Sequence, residues 1–293
     1  MAWSRDELIA AVDGYAKELE ASGLPRHYEQ LASREAGRFV AWLRPRDGPA
    51  DTVASAPRAP SSGGPSANAL CEELRYLVDA CIAAGKPRQP PIDWRRDHWV
   101  AAFPEHTDFL LGLPDRVDRA SVAAVCTHAS ESDEAAVRAF IATMTWGFGT
   151  VGYGPHRTRR ILEATPDAAR RLRELARVVT DSGPDNAYRR MCRDEDLRLK
   201  FLGPSFGTKY LHFCQPAEKR PRALILDAFV AGWLRDHCGV VLDPVPFDPP
   251  TWRRYLRLMH EWAQALGIDP EELEYCIFRA AAEERGSQWG KDQ

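Results

Sequence analysis

Lys209 and Asp227 stand 18 residues apart in stretches of opposite character. Lys209 lies in Gly203-Pro-Ser-Phe-Gly-Thr-Lys-Tyr210, which is rich in turn formers. Asp227 is the lone charge in the apolar run ALILDAFVAGWL, from Ala223 to Leu234. A glycine-containing hairpin between two short helices can aim backbone N–H groups at a phosphate. An amine just inside the second helix and a carboxylate opening a later one can then face one cleft. Such a pairing suits chemistry on a nucleotide. The spacing predicts a helix over 195–202 that stops at Gly203-Pro204, because proline cannot continue the preceding hydrogen-bond ladder. Gly207 supplies freedom for a tight turn, and Thr208 reads as the N-cap of a helix over 208–214. An ordinary helix–turn–helix connection with Lys209 on its surface fits the same spacing. Asp227 likewise fits two roles, a helix N-cap and a functional carboxylate.

GPSFGTK resembles the L-P-G-V-G-x-K hairpin of the helix–hairpin–helix DNA glycosylases, and most closely the G-T-K form of the 8-oxoguanine DNA glycosylases. LILDAFVAGW stands where that family has its V-D-x-H-V segment, at nearly the same distance, and the resemblance covers roughly residues 120–240. It implies that the Lys209 amine attacks the anomeric carbon of a damaged nucleotide, expels the base and leaves a Schiff base on the sugar. Such an amine must first lose its proton, which removal from water promotes. Asp227 would stabilise the positive charge that develops on the sugar. Phe213, one helical turn after Lys209, would line the base pocket; core packing is the other reading of that ring. Gly203, Pro204, Ser205, Gly207 and Thr208 would hold a DNA phosphate without reading sequence. The implied partner is double-stranded DNA containing a modified base, with no redox cofactor and no catalytic metal. Three positions depart from the pattern: Ser205 replaces the central glycine, Phe206 the valine, and Phe229 a histidine. The base stays open between oxidised guanine and a bulkier one, such as the glucosylated hydroxymethylcytosine of phage DNA. Strand-nicking lyase activity through Lys209 is a further expectation. A non-catalytic helix–hairpin–helix DNA-binding protein and a helical interaction factor using residues 1–44 are the alternatives.

Trp146-Gly-Phe-Gly-Thr-Val-Gly-Tyr-Gly-Pro155 contains a literal G-x-G-x-x-G. A helical stretch, not a strand, precedes it, so it is no dinucleotide fingerprint. At this junction the glycosylase pattern places the residue that enters the gap left by an extruded base. Phe148 and Tyr153 are suitable wedges, and His156, Arg157 and Arg159 are candidate phosphate contacts at the start of the next helix. A glycine-rich hinge with buried aromatics fits equally well.

The 293 residues carry a formal net charge of −3, which hides an asymmetry. From His156 to Arg222 there are 16 Lys+Arg against 9 Asp+Glu, a surplus of seven that leaves the remainder at −10. One basic segment in an acidic chain fits a phosphate footprint; a solvated arginine-rich helix face fits it too. Seven scattered cysteines without a C-x-x-C pair predict buried free thiols. The eight histidines show no zinc spacing, and no G-x-S-x-G is present. No apolar run reaches the roughly 20 residues that span a bilayer, and the N-terminus is not that of a signal peptide. A monomeric protein of the cytoplasm, associated with the nucleoid, is expected.

The positioning elements read as an all-α, helix–hairpin–helix glycosylase-like domain over 69–290. Before it come two amphipathic helices within 4–44, making an N-terminal segment 1–44, and a flexible Pro/Ala/Ser/Gly linker over 45–68. Predicted helices span 69–84, 93–102, 105–112, 119–128, 132–146, 156–163, 166–181, 184–193, 195–202, 208–214, 223–237, 249–266 and 269–284. Val240-Val241-Leu242 is the best strand candidate.

Overall fold

Ser132 opens the helix around which the rest is arranged. Its hydroxyl accepts the Ala135 N–H at 3.1 Å, and Asp133 and Glu134 place negative charge in the first turn. From Ala139 to Trp146 every residue is buried, so this helix is apolar on all sides and belongs inside. It ends where Gly149 takes φ +55°, a conformation that suits glycine.

The computed structural model describes residues 70–85, 88–192, 195–242 and 248–286. The predicted helices within 4–44 and the linker over 45–68 lie outside the described residues. In chain order the helices are α1 (Glu72–Ala83), α2 (Arg96–Ala102), α3 (Thr107–Gly112), α4 (Arg119–Cys126), α5 (Asp133–Phe148), α6 (Gly154–Ala164), α7 (Ala168–Ser182) and α8 (Pro184–Arg190). Then come α9 (Pro204–Cys214), α10 (Ala228–Cys238), α11 (Pro249–Leu266) and α12 (Pro270–Glu284). The only strands among the described residues are β1 (Ile92–Asp93) and β2 (Arg116–Val117), paired antiparallel with Ile92 opposite Val117. The all-α expectation holds. Helices α4, α6, α7 and α9 pack on the central α5, while α10 and α11 pack on α12, which also meets α1. No helix among the described residues is long and apolar enough to cross a membrane.

Three expectations need correction. Residues 195–202 form turns, not a helix, because their polar groups are engaged elsewhere. Glu195 and Asp196 bind Arg189 and Arg190, and the Lys200 N–H donates to Thr165 Oγ1 at 2.8 Å. Val240-Val241-Leu242 forms no strand; the chain leaves α10 through Gly239 at φ +64° and finds no partner strand. Of the seven cysteines expected to be free, Cys71 and Cys238 form a disulfide, 167 residues apart in the chain. Spacing could not show this, because packing of the start of α1 near the end of α10 creates the contact. The other five cysteines are free and buried.

The joint between the two helix groups is the buried stretch Ala223–Leu226, which has no regular secondary structure. A buried backbone group must find a partner, and here side chains supply them. Ala223 N–H donates to Gln215 Oε1 at 2.6 Å, and Ala223 O accepts from His212 Nδ1 at 2.8 Å. Ile225 N–H donates to Glu274 Oε2 at 2.8 Å, and Ile225 O accepts from the Tyr255 hydroxyl at 2.7 Å. Leu226 N–H donates to Thr208 Oγ1 at 3.2 Å. Thr208→Val keeps the shape but orphans the Leu226 N–H. We expect a loss of about 1–3 kcal/mol, read as a lower urea midpoint at unchanged m-value; an unaltered midpoint would show that this bond does not secure the joint.

Candidate active site

Pro204 opens α9 rather than closing an earlier helix. A proline at the first helical position fits, since its missing N–H would have had no partner there anyway. Gly207 is therefore inside the helix, its N–H donating to Gly203 O at 2.9 Å, and makes no tight turn. Thr208 is fully buried and is not an N-cap. Both residues are withdrawn from any phosphate, which corrects their expected DNA-facing role. Gly203 and Ser205 remain partly exposed at the helix start, while Pro204 is buried.

Starting α9 at Pro204 places Lys209 one turn after Ser205, and Nζ donates to Ser205 Oγ at 3.2 Å. The second partner of Nζ is Asp227 Oδ2, also at 3.2 Å. Asp227 fulfils the first role that its setting allows, that of helix N-cap. Its Oδ1 caps α10, accepting from Phe229 N–H at 3.0 Å and Val230 N–H at 3.2 Å. That leaves Oδ2 for the amine. Both residues are more than nine-tenths buried, so their attraction acts with little screening. Close approach of α5 to α9 is part of the design: a Cβ at Gly147 would lie 2.5 Å from Phe206 Cε1 and 3.4 Å from Lys209 Cδ.

The pair faces a cavity of about 350 Å³, within the range of roughly 300–1,000 Å³ of small-molecule sites. Trp146, Phe148, Phe206, Phe229 and Phe278 give it aromatic walls. Phe148 and Phe206 stack on each other with centroids 4.4 Å apart. A second polar group also lines it. Arg119 donates to Gln89 Oε1 at 3.0 Å and to Glu274 Oε1 at 2.8 Å, and lies over the Trp146 ring. Its third contact is His212 Nε2 at 3.2 Å. Burial pushes the Glu274 carboxyl up despite the neighbouring arginine. Burial first, then Arg119 and Arg222, hold the His212 imidazole well below the usual histidine range. The ring is thus neutral, with Nδ1–H donating to Ala223 O and Nε2 accepting from Arg119.

Other expected site residues fall as follows. Phe213 does not line the cavity; it packs edge-on behind Trp146, centroids 5.0 Å apart, because Trp146 occupies the wall. Phe148 is a wall residue wedged against Gly154, where a Cβ would come within 2.8 Å of it. Tyr153 is exposed and packs near His156. Arg157 binds Phe201 O at 2.6 Å. Arg159 is bonded to Ala102 O and paired with Glu105 and Glu163. Sequence reasoning missed Arg119, Trp146, Glu274 and Phe278. The one signal for the last two was their spacing of four within α12, which puts both on one face. No group of three or more His, Cys, Asp or Glu among the described residues is placed to hold a metal ion.

Residues 85–278 match the family described as "Putative 8-oxoguanine DNA glycosylase OGG-like protein". No curated protein and no solved structure matches the chain.

The neutral His212 couples stability to pH. Its folded-state affinity for a proton is depressed, so below about pH 6.5, the ordinary histidine value, the unfolded chain takes up a proton that the native state refuses. Stability present above that pH is lost as pH falls, with a slope approaching one proton. Urea midpoints of wild type and His212→Asn at pH 7.5 and 5.5 should show a smaller acid loss in the variant. Equal losses would place the coupling elsewhere.

Proposed function

Because the chain belongs to the OGG-like 8-oxoguanine DNA glycosylase family, we propose that it extrudes a modified base from double-stranded DNA and cleaves the N-glycosidic bond with Lys209 and Asp227. The observation that carries this reading is the Lys209–Asp227 contact at 3.2 Å on the edge of an aromatic cavity. Lys209, once neutral, attacks C1′ of the extruded nucleotide with its amine lone pair. The glycosidic bond breaks, and its electron pair leaves with the base, which takes up a proton. The Asp227 carboxylate, 3.2 Å from Nζ, opposes the positive charge developing on the sugar, and only after the C1′–N bond has formed does Oδ2 take the proton that the new ammonium sheds. Opening of the sugar ring then leaves a Schiff base on Nζ, from which strand-nicking lyase chemistry can follow. The steps need only an amine, a carboxylate and water.

The non-catalytic alternative asks Lys209 to touch phosphate. An amine buried to more than nine-tenths and held by Asp227 and Ser205 is poorly placed for that, which favours the enzyme. For the base, we propose oxidised guanine or a bulkier modified base such as glucosylated hydroxymethylcytosine. The second would make the protein an agent of phage defence. Flat aromatic walls suit either ring, and the Arg119 guanidinium, held by Glu274, offers hydrogen-bond donors to its edge.

Incubating the protein with duplexes carrying each base, with borohydride present, should trap a covalent adduct on the true substrate. Lys209→Gln should abolish the adduct while DNA binding persists. If wild type releases base yet never traps, an activated water and not Lys209 is the nucleophile. Asp227→Asn separates capping from chemistry, since asparagine caps helices as well as aspartate does. The cap is kept, but Lys209 loses its buried counter-charge, so stability should fall by up to about 3–5 kcal/mol, while single-turnover excision by the folded variant falls by about 10²-fold or more. Excision at the wild-type rate would remove Asp227 from the reaction.

A further inference from the structure

Phe201 takes φ +64°, a left-handed backbone that is rare and costly for a bulky residue, and the residue is 44% exposed. Leu199 and Leu202 beside it are buried, and the turn between them (Leu202 N–H to Leu199 O, 3.4 Å) sends the ring outward. Two arginines of α6 hold it there. Arg157 donates to Phe201 O at 2.6 Å, and the Arg160 guanidinium lies 3.9 Å from the ring centroid, covering one face.

Phe201, Arg160 and His156 border a surface cavity of about 380 Å³, distinct from the one beside Lys209. Its one carboxylate, Glu163, is engaged by Arg159 at 3.2 Å. Among the described residues Arg157 and Arg160 have no carboxylate partner, nor do Arg198 and Lys200 in the run leading to Phe201. The patch is therefore cationic as well as aromatic, which is the chemistry that meets single-stranded nucleic acid. It also adjoins the reaction cavity: α6 begins against Phe148, and α9 begins three residues after Phe201.

We propose that Phe201 and Arg160 form a second nucleic-acid contact, in which Phe201 stacks on a base that has lost its partner and Arg160 takes an adjoining phosphate. Bases in an intact duplex already stack on one another. A free π-face arises where a nucleotide has been extruded, so the proposal rests on the glycosylase reading for the source of the unpaired base. Glycine at 201 would adopt this backbone without strain. A phenylalanine kept there at the expense of stability points to a task for the ring other than folding.

The test is equilibrium binding to two duplexes, one fully paired and one with a tetrahydrofuran abasic analogue opposite an unpaired base. Phe201→Gly should unfold at the same or a higher denaturant concentration than wild type. It should bind the abasic-analogue duplex about 5- to 100-fold more weakly, with paired-duplex affinity and salt slope unchanged. Arg160→Gln should weaken binding to both duplexes and reduce the salt slope by about one. Unchanged affinity of Phe201→Gly for the abasic-analogue duplex, or a loss of stability showing that the ring serves packing, overturns the platform. Because the readout is binding, an absence of excision by wild type overturns the glycosylase reading without touching this result.

Discussion

The reactive geometry depends on a buried stretch of chain with no secondary structure of its own. Between Arg222 and Asp227 the backbone runs through the interior, where an unpaired N–H or C=O is costly. Side chains of α9, α11 and α12, with Gln215 just after α9, supply the missing partners. The consequence is positional. Thr208, next to Lys209, bonds Leu226, next to Asp227, so one hydrogen bond between neighbours fixes the separation of amine and carboxylate. The Asp227 cap on α10 then fixes the rotamer. Both partners are oriented before any ligand arrives, which is what a site that must position a reacting atom requires.

Stability alone does not account for the charges around the cavity. Replacing a buried ion pair by well-packed apolar residues is often neutral, or stabilising by about 1–4 kcal/mol. Here two such pairs, Lys209–Asp227 and Arg119–Glu274, line one cavity. The second pair does carry structure, since Glu274 also accepts the Ile225 N–H and His212 links Arg119 to Ala223. A neutral Gln could accept that N–H equally well. The arrangement also sets the Arg119 guanidinium as a polar edge on an otherwise aromatic cavity.

Much of this was legible in the residues, and the failures have physical causes. Capping and periodicity placed most of the helices within a few residues, and an aspartate alone in an apolar run marked both the start of α10 and one partner of the buried pair with Lys209. Pro204 misled because proline both stops and starts helices; which applies depends on whether residues 195–202 can satisfy their own backbone, and their acids are bound to Arg189 and Arg190 instead. Phe213 had the correct spacing from Lys209, yet Trp146 from α5 intervenes, and no local pattern encodes which of two aromatics reaches a wall. Glu274 and Phe278 looked like ordinary positions in an amphipathic helix because their meaning comes from Arg119 and Ile225, both distant in the chain.

The basic segment shows the same limit for electrostatics. Its surplus of seven charges suggested a broad footprint, but folding neutralises much of it. Arg173 meets Asp133, Arg220 meets Asp269 and Arg222 meets Glu271, all acids from outside the segment, while Arg177 and Arg190 are paired within it. The cations left without carboxylates include those gathered on α6 and on the turns before α9, the elements that flank the reaction cavity. Under the proposed function, a phosphate backbone attracted there would be held beside Lys209 instead of being spread along the arginine-rich α7. Ion pairing thus acts subtractively: by neutralising arginines elsewhere, it leaves the cationic field concentrated near the place where a nucleotide would have to leave its duplex.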